Sequence, residues 1–415
     1  MNNFEKIIGY DSIKTELLQI CDMIKNREIY EKLGAKLPCG ILLCGNPGLG
    51  KSLMAKCFIE ECNLKSFTVR KSKSENFVEY ITETFNKAKE NAPSIVFLDD
   101  MDKFANEDER HSDAEEYVAV QAGIDSVKGC DVFVIATVND IRKLPDSLTR
   151  AGRFDKNIEF YQPYYEDSLR IIEHYLENKN TSDINVEDIA KMLCFGSCAE
   201  LESVLNEAAI IAGYKRKPKI EMEDIVESVL KAEYAAPQDC SETPPDKLKK
   251  VAYHEAGHLI MSEILSPESV GLASIRKGNL GKSGGFVRRY KQLPTPRHNA
   301  LVCLAGKAAT ELVYGSCADG CETDISKASD NIRELISDRG YFGFGMVDVS
   351  VWHENPSMIL DSRIEIAISA EMEKCLFEAK EVIAKNRDLL EKVATAFLEK
   401  ETLLASDIKK LMKDA

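Results

Sequence analysis

Apolar and polar positions follow two regimes along this chain. Three short apolar runs, ILLC from Ile41, SIVFLDD from Ser94 and DVFVIATVND from Asp131, are too short and continuous for surface helices and predict buried parallel strands. Helical periodicity separates them and takes over after Arg153, so Tyr161–Tyr234 predicts a helical segment. The stretch from Ala235 to Lys247, AAPQDCSETPPDK, mixes Pro, Ser and acidic residues and predicts a linker. Beyond it, VAYHEAGHLIMSEI (Val251–Ile264) and HNALVCLAGKAATELVYG carry apolar residues at helical spacing, and Ser357–Lys413 predicts an amphipathic helical tail. Strand-like ASIRKGN and GGFVRRY flank Gly281 and Gly284; they predict either a plain hairpin or an edge on which an extended peptide can pair.

Composition narrows the class. At 415 residues, with 44% hydrophobic and 30% charged positions, the chain has the make-up of two or three globular domains. A formal charge of −15 disfavours a nucleic-acid or anionic-membrane partner, because phosphates attract basic surfaces. The thirteen cysteines form no CxxC pair, which points to reduced thiols. No run approaches the roughly 18 apolar residues of a spanning helix.

Two motifs carry chemistry. The first predicted strand leads into GNPGLGKS (Gly45–Ser52) and then a helix, the context that identifies a P-loop. Backbone N–H groups of Gly48–Lys51 are expected to cradle phosphates, Lys51 to reach the β and γ phosphates, and Ser52 to ligate Mg²⁺; Gly45, Pro47, Leu49, Gly50 and Leu53 complete the nucleotide contacts. Asp99 ends the second strand, where an acid holds Mg²⁺, and Asp100 follows where a carboxylate orients the attacking water. Glutamate is commoner there, so the shorter Asp100 predicts slow hydrolysis with intact nucleotide binding. Asn139 ends the third strand, placed for the γ-phosphate or the attacking water, and Arg150 and Arg153 are spaced as arginines offered to a neighbour's ATP.

The second motif is His254-Glu255-Ala256-Gly257-His258. Its spacing puts both imidazoles on one helix face, able to hold Zn²⁺, with Glu255 beside them as a proton acceptor. Gly257 in mid-helix costs roughly 1 kcal/mol relative to Ala, which predicts close approach of another backbone. A catalytic zinc needs a third ligand, and Glu311, Asp319, Glu322 and Asp324 are all candidates.

In this order GNPGLGKS, FLDDMD, ATVND and SLTRAGRFD resemble the AAA+ module, and YHEAGH resembles the FtsH family of ATP-dependent zinc proteases. The similarity extends through FGSCAELESVLNEAA, LVYGSCADGCETDISKAS and the closing helices, covering roughly residues 4 to 410. It implies an α/β AAA+ domain over residues 1–160, a helical lid over 161–234, a linker over 235–247 and a mainly α-helical zinc metallopeptidase domain over 248–415. It further implies Asp324 as third zinc ligand beside His254 and His258, Glu255 as general base, ATP with Mg²⁺ as cofactor, and a homo-hexamer with Arg150 and Arg153 reaching across the subunit boundary.

Three departures from the family stand out. The family begins with one or two transmembrane helices whereas this sequence starts almost at its ATPase domain, so either a cytoplasmic relative or a trimmed protein is expected. Asp100 is the second. The third is SKSENFVEYITETFN, shorter than the family's pore loop and without its glycine, which leaves Phe77 and Tyr80 as the nearby aromatics. The expected function is ATP-dependent zinc endopeptidase action on unfolded or tagged polypeptides. The rival is a chaperone or regulatory ATPase with a weakly coupled peptidase.

Overall fold

The computed structural model describes residues 3–71, 76–105, 114–150, 152–235, 240–241, 243–277, 284–316, 321–337, 339–343 and 358–413. The start of the expected pore segment, Gly281 and Asp319 lie outside the described residues. The protein divides into two compact units, Met1–Tyr175 with Phe195–Ser203, and Leu176–Cys194 with Val204–Ala415.

The first unit is built on five parallel strands, β1 (Gly40–Cys44), β2 (Lys65–Arg70), β3 (Ser94–Asp99), β4 (Val132–Val138) and β5 (Lys156–Glu159), in the order β2-β3-β4-β1-β5. Every residue of β1, β3 and β4 is buried, which is why these strands read as continuous apolar runs. Alternate side chains feed two cores. Helices α1 (Asp11–Lys25) and α2 (Lys51–Cys62) bring Leu17, Ile20, Met54 and Phe58 to one of them, where they meet Ile41, Leu43, Ile95, Phe97 and Ile135. Helices α3 (Phe77–Glu90) and α4 (Ala114–Ser126) bring Phe77, Ile81, Phe85 and Ile124 to the other, against Leu42, Val96, Leu98, Val134 and Ala136. The parallel register pairs Cys44 with Val138 and Leu98 with Ala136, so the P-loop, Asp99 and Asn139 gather at the carboxyl ends of adjacent strands. That is where open parallel sheets bind ligands.

Phe77 is not available to a pore. It is buried, meets Phe104 edge-on at 5.5 Å and stacks on Tyr80, whose hydroxyl donates to the Thr68 carbonyl.

In the second unit, α5 (Pro245–Leu265) packs against α6 (Pro296–Tyr314), and α7 (Cys321–Ser337), α8 (Met358–Lys385) and α9 (Arg387–Lys400) complete a single core. From Ala252 to Glu263 only Tyr253 of α5 is less than fully buried, so this helix is enclosed on nearly all sides. Pro296 and the Thr295 hydroxyl, which accepts from the His298 N–H, start α6, and Gly315 in left-handed geometry ends it. Strands β6 (Val270–Ser274), β7 (Phe286–Arg289) and β8 (Thr402–Leu404) lie beside these helices as an antiparallel sheet in the order β7-β6-β8. The tail is therefore not helix throughout. Glu401 takes a positive φ of 57° that ends α9, and the next three residues pair with β6. Among the described residues no helix is long and apolar enough to cross a membrane.

Candidate active site

The residues expected to hold nucleotide meet at the strand ends. Gly48 and Gly50 take φ of 79° and 84°, conformations that glycine adopts without a Cβ clash, and Gly50 caps α2. Lys51 Nζ donates to the carbonyls of Gly45 (2.6 Å) and Asn46 (2.7 Å) and to Asn139 Oδ1 (3.0 Å). Ser52 Oγ donates to Asp99 Oδ1 at 2.7 Å, and the Thr137 hydroxyl donates to the same oxygen at 2.9 Å. Burial lowers the pKa of the Lys51 ammonium against the opposing pull of nearby Asp100 and Asp102. Beside the loop, Ile7, Tyr10, Leu53 and Tyr175 help to line a cavity of about 380 Å³ that Gly48, Leu49 and Gly50 also face.

Asp100 and one of the two arginines are engaged within the molecule. Asp100 has a left-handed backbone, φ 55°, with its N–H donating to Thr137 Oγ1 at 2.8 Å and its carboxylate paired to Lys103 at 2.7 Å. Arg153 makes a two-pronged pair with Asp125 at 3.1 and 2.7 Å and donates to the Ser147 carbonyl. Arg150 is exposed.

Glycine contacts set up the second site. A Cβ on Gly257 would stand 2.4 Å from the Ala305 carbonyl oxygen, so the close approach expected from the sequence is the contact of α5 with α6. On α6, a Cβ on Gly306 would stand 2.5 Å from His258 Nε2 and 2.6 Å from His254 Cε1. The two imidazoles thus lie directly over the Gly306 backbone, their rings perpendicular with centroids 4.6 Å apart. No motif in the sequence singled out Gly306; its one signal is a small residue within the apolar run of α6.

Asp324, in the first turn of α7, faces both histidines. Its Oδ2 lies 3.0 Å from His254 Nε2 and 3.3 Å from His258 Nε2, and the two Nε2 atoms are 3.1 Å apart. Donors of a tetrahedral zinc site with bonds near 2.0 Å stand about 3.3 Å apart. The three atoms therefore fit three corners of such a site, and they are the one group of this kind among the described residues. His258 Nδ1 lies 2.7 Å from the Val302 carbonyl, which can only accept, so Nδ1 carries the proton and Nε2 presents its lone pair to a metal.

Of the other ligand candidates, Glu311 is paired to Lys307 and Lys380 at 2.5 and 2.7 Å, and Glu322 is exposed. Neither joins the group.

Burial works against protonated imidazole, yet the Asp324 carboxylate outweighs it and pushes both histidines up. Burial likewise works against the Asp324 carboxylate, and the two imidazoles overcome it, holding the group well below the usual carboxylate range. Glu255 is 4% exposed, and burial pushes it up. Gly285 packs on its carboxyl, where a Cβ would stand 2.6 Å from Oε1. These residues line a cleft of about 310 Å³ with Phe286, Val287, Arg289, Cys303 and Lys327. Such an assembly would hold a dication on three protein donors at the cleft, with a proton acceptor beside it.

Comparison with known proteins gives a match over each of the two regions that carry these sites. Residues 41–162 match the ATPase family associated with various cellular activities (AAA), and residues 242–411 match peptidase family M41. The sequence is 31% identical over 448 residues to the ATP-dependent zinc metalloprotease FtsH of Caldicellulosiruptor bescii, covering 99% of this chain and 72% of that protein. It is 28% identical to ATP-dependent zinc metalloprotease FtsH 3 of Symbiobacterium thermophilum and to the FtsH of Bacillus subtilis, covering 99% of this chain in each and 71% and 69% of those proteins. A phosphate-binding loop and a histidine pair closed by a distant aspartate, in one polypeptide and along almost its whole length, place this protein in the FtsH family of ATP-dependent zinc metalloproteases.

Proposed function

We propose that this protein is an ATP-dependent zinc endopeptidase acting on unfolded or tagged polypeptides, with His254, His258 and Asp324 as the zinc ligands and Glu255 as the base. The observation that carries the assignment is the convergence of three donor atoms within 3.3 Å of one another next to a buried carboxyl. Zinc, when bound, supplies Lewis acidity for polarising a scissile carbonyl and acidifying a water. Val302 and Asp324 fix the imidazole orientations, and the contact between Gly257 and Ala305 holds α6 against them. Glu255 takes the proton of the attacking water on its carboxylate and delivers it to the departing amine. Edge strand β7 offers its free side to an extended polypeptide.

In the first 160 residues, Gly45, Pro47, Gly48, Leu49, Gly50, Lys51 and Leu53 hold the nucleotide, Ser52 and Asp99 hold Mg²⁺, and Asp100 and Asn139 orient the attacking water. Residues 161–234 form the lid, 235–247 the linker and 248–415 the peptidase. The working form is a homo-hexamer in the cytoplasm. Exposed Arg150 reaches the neighbouring nucleotide, and Arg153 does so by exchanging its pair with Asp125.

Two observations favour a second reading, in which ATP turnover and proteolysis are weakly coupled: Asp100 is held by Lys103, and Phe77 belongs to the core. Degradation of a folded, tagged protein and of a loose polypeptide, each with and without ATP, separates the two. ATP-dependent loss of the folded substrate supports tight coupling. Cleavage of the loose substrate alone, indifferent to ATP, supports the second.

A further inference from the structure

The protease cleft contains a cation that peptide hydrolysis as described leaves without a task. Arg289 ends edge strand β7 and lines the cleft with Phe286, Val287 and Cys303. Strand alternation sends Arg288 elsewhere, to Glu233 at 3.1 Å and the Cys194 carbonyl at 2.8 Å. The half-buried Arg289 guanidinium has one hydrogen bond, from Nη2 to Asn299 Oδ1 at 2.8 Å. Its Nη1 is shut off from water with no partner among the described residues, and no carboxylate among them pairs with it. The contrast within the same unit is sharp. Arg276 is paired with Glu401, Arg288 with Glu233, and Arg297 with both Glu371 and Glu378.

A charged donor removed from water without an answering acceptor is costly, and such groups persist where something outside the fold answers them. Here the residue lines the proposed substrate cleft, and a turn of the guanidinium about its side-chain bonds brings its donors to a carboxylate bound there. We propose that Arg289 is a specificity-determining residue that takes a carboxylate of the bound polypeptide, either an acidic side chain near the scissile bond or the substrate's free carboxyl terminus. A guanidinium offers a carboxylate paired N–H donors in a fixed plane, which suits this task better than a point charge. Lys327 lines the same cleft and adds a second cation, so both favour an anionic over a cationic substrate segment. This inference rests on the cleft being the peptidase site.

The test uses the full-length, zinc-loaded protein and fluorogenic octapeptides that differ only in Glu against Gln at each position flanking the scissile bond, every one made as free acid and as amide. The acidic member of one pair should be preferred in kcat/KM by about tenfold or more, chiefly through KM, as expected where a site is built to pair a group that its rival lacks. The Glu–Gln arm identifies an acidic side chain and the acid–amide arm a terminal carboxylate. Arg289→Gln should bring the preference to near unity, and Arg289→Lys should restore part of it. No preference in the parent protein, or a preference unchanged by Arg289→Gln, overturns the inference. Fluorescence anisotropy of the same peptides on the Glu255→Gln protein reads selectivity without turnover. Acid-selective binding lost in the Arg289→Gln double variant, with no cleavage by the parent, supports Arg289 and contradicts the peptidase assignment alone.

Discussion

Gly257 and Ala305 hold α5 and α6 at backbone contact, and one residue further along α6, Gly306 carries both imidazoles on its Cα. The zinc site therefore depends on two glycines that donate nothing to it. Gly306→Ala puts a methyl group into the histidine rings and should weaken zinc affinity by about ten- to a hundredfold, the range seen when residues supporting a ligand are disturbed. Gly257→Ala drives the helices apart and should destabilise the fold by about 1–3 kcal/mol. Zinc titration and thermal unfolding of both variants check this; full zinc affinity in Gly306→Ala contradicts it.

Asp324 and Glu311 give opposite expectations. Asp324→Ala removes the third donor and should abolish stoichiometric zinc, whereas Glu311→Gln breaks only pairs to Lys307 and Lys380 on a partly exposed surface. Such pairs contribute about 1 kcal/mol or less. Metal analysis of the two purified variants decides between them, and loss of zinc from Glu311→Gln would reopen the ligand assignment.

Protons and zinc compete for the same nitrogen atoms. In the metal-free protein Asp324 raises both imidazoles above their ordinary value near 6.5, so a proton on the pair must leave before zinc binds. The sign follows directly: zinc uptake at neutral pH releases protons, and apparent zinc affinity falls as pH falls, beginning above 6.5. Calorimetry in two buffers of different ionisation enthalpy measures the release. Zero net proton exchange at neutral pH contradicts the raised imidazoles.

Asp100 combines a short side chain, a left-handed backbone and a pair with Lys103. Turnover of ATP should be slow while nucleotide binding is intact. Asp100→Glu reaches one methylene further and should raise turnover severalfold, even though a positive φ suits Asp better than Glu by about 1 kcal/mol. Phosphate release beside an independent ATP-binding measurement tests this, and equal turnover in both proteins counts against it.

What the sequence disclosed was whatever is encoded locally. Three strands of the first unit, β1, β3 and β4, appear as apolar runs because both of their faces are buried, whereas the largely exposed β2 and β5 leave no such run, and the P-loop and the histidine pair are each contained in one contiguous stretch. Gly257 signalled a backbone contact because helix propensity could not account for it. The proposed third ligand was different: Glu311, Asp319, Glu322 and Asp324 have equivalent chemistry, only the family resemblance pointed to Asp324, and it is packing that turns Asp324 toward the histidines and Glu311 toward two lysines. Gly306 and Arg289 were invisible for the same reason: what they do is set by residues far away in sequence. That Phe77 belongs to the core was not legible either, because its partner there, Phe104, lies 27 positions later.

A single substitution can remove the proton acceptor and leave the rest of the site in place. Glu255→Gln keeps the size of the side chain and all three proposed zinc ligands, so the purified variant should retain one zinc per protomer and lose proteolysis of a casein-like substrate by about a thousandfold or more, within the range that general acid–base catalysis contributes. Full proteolysis by a zinc-loaded Glu255→Gln protein would contradict it.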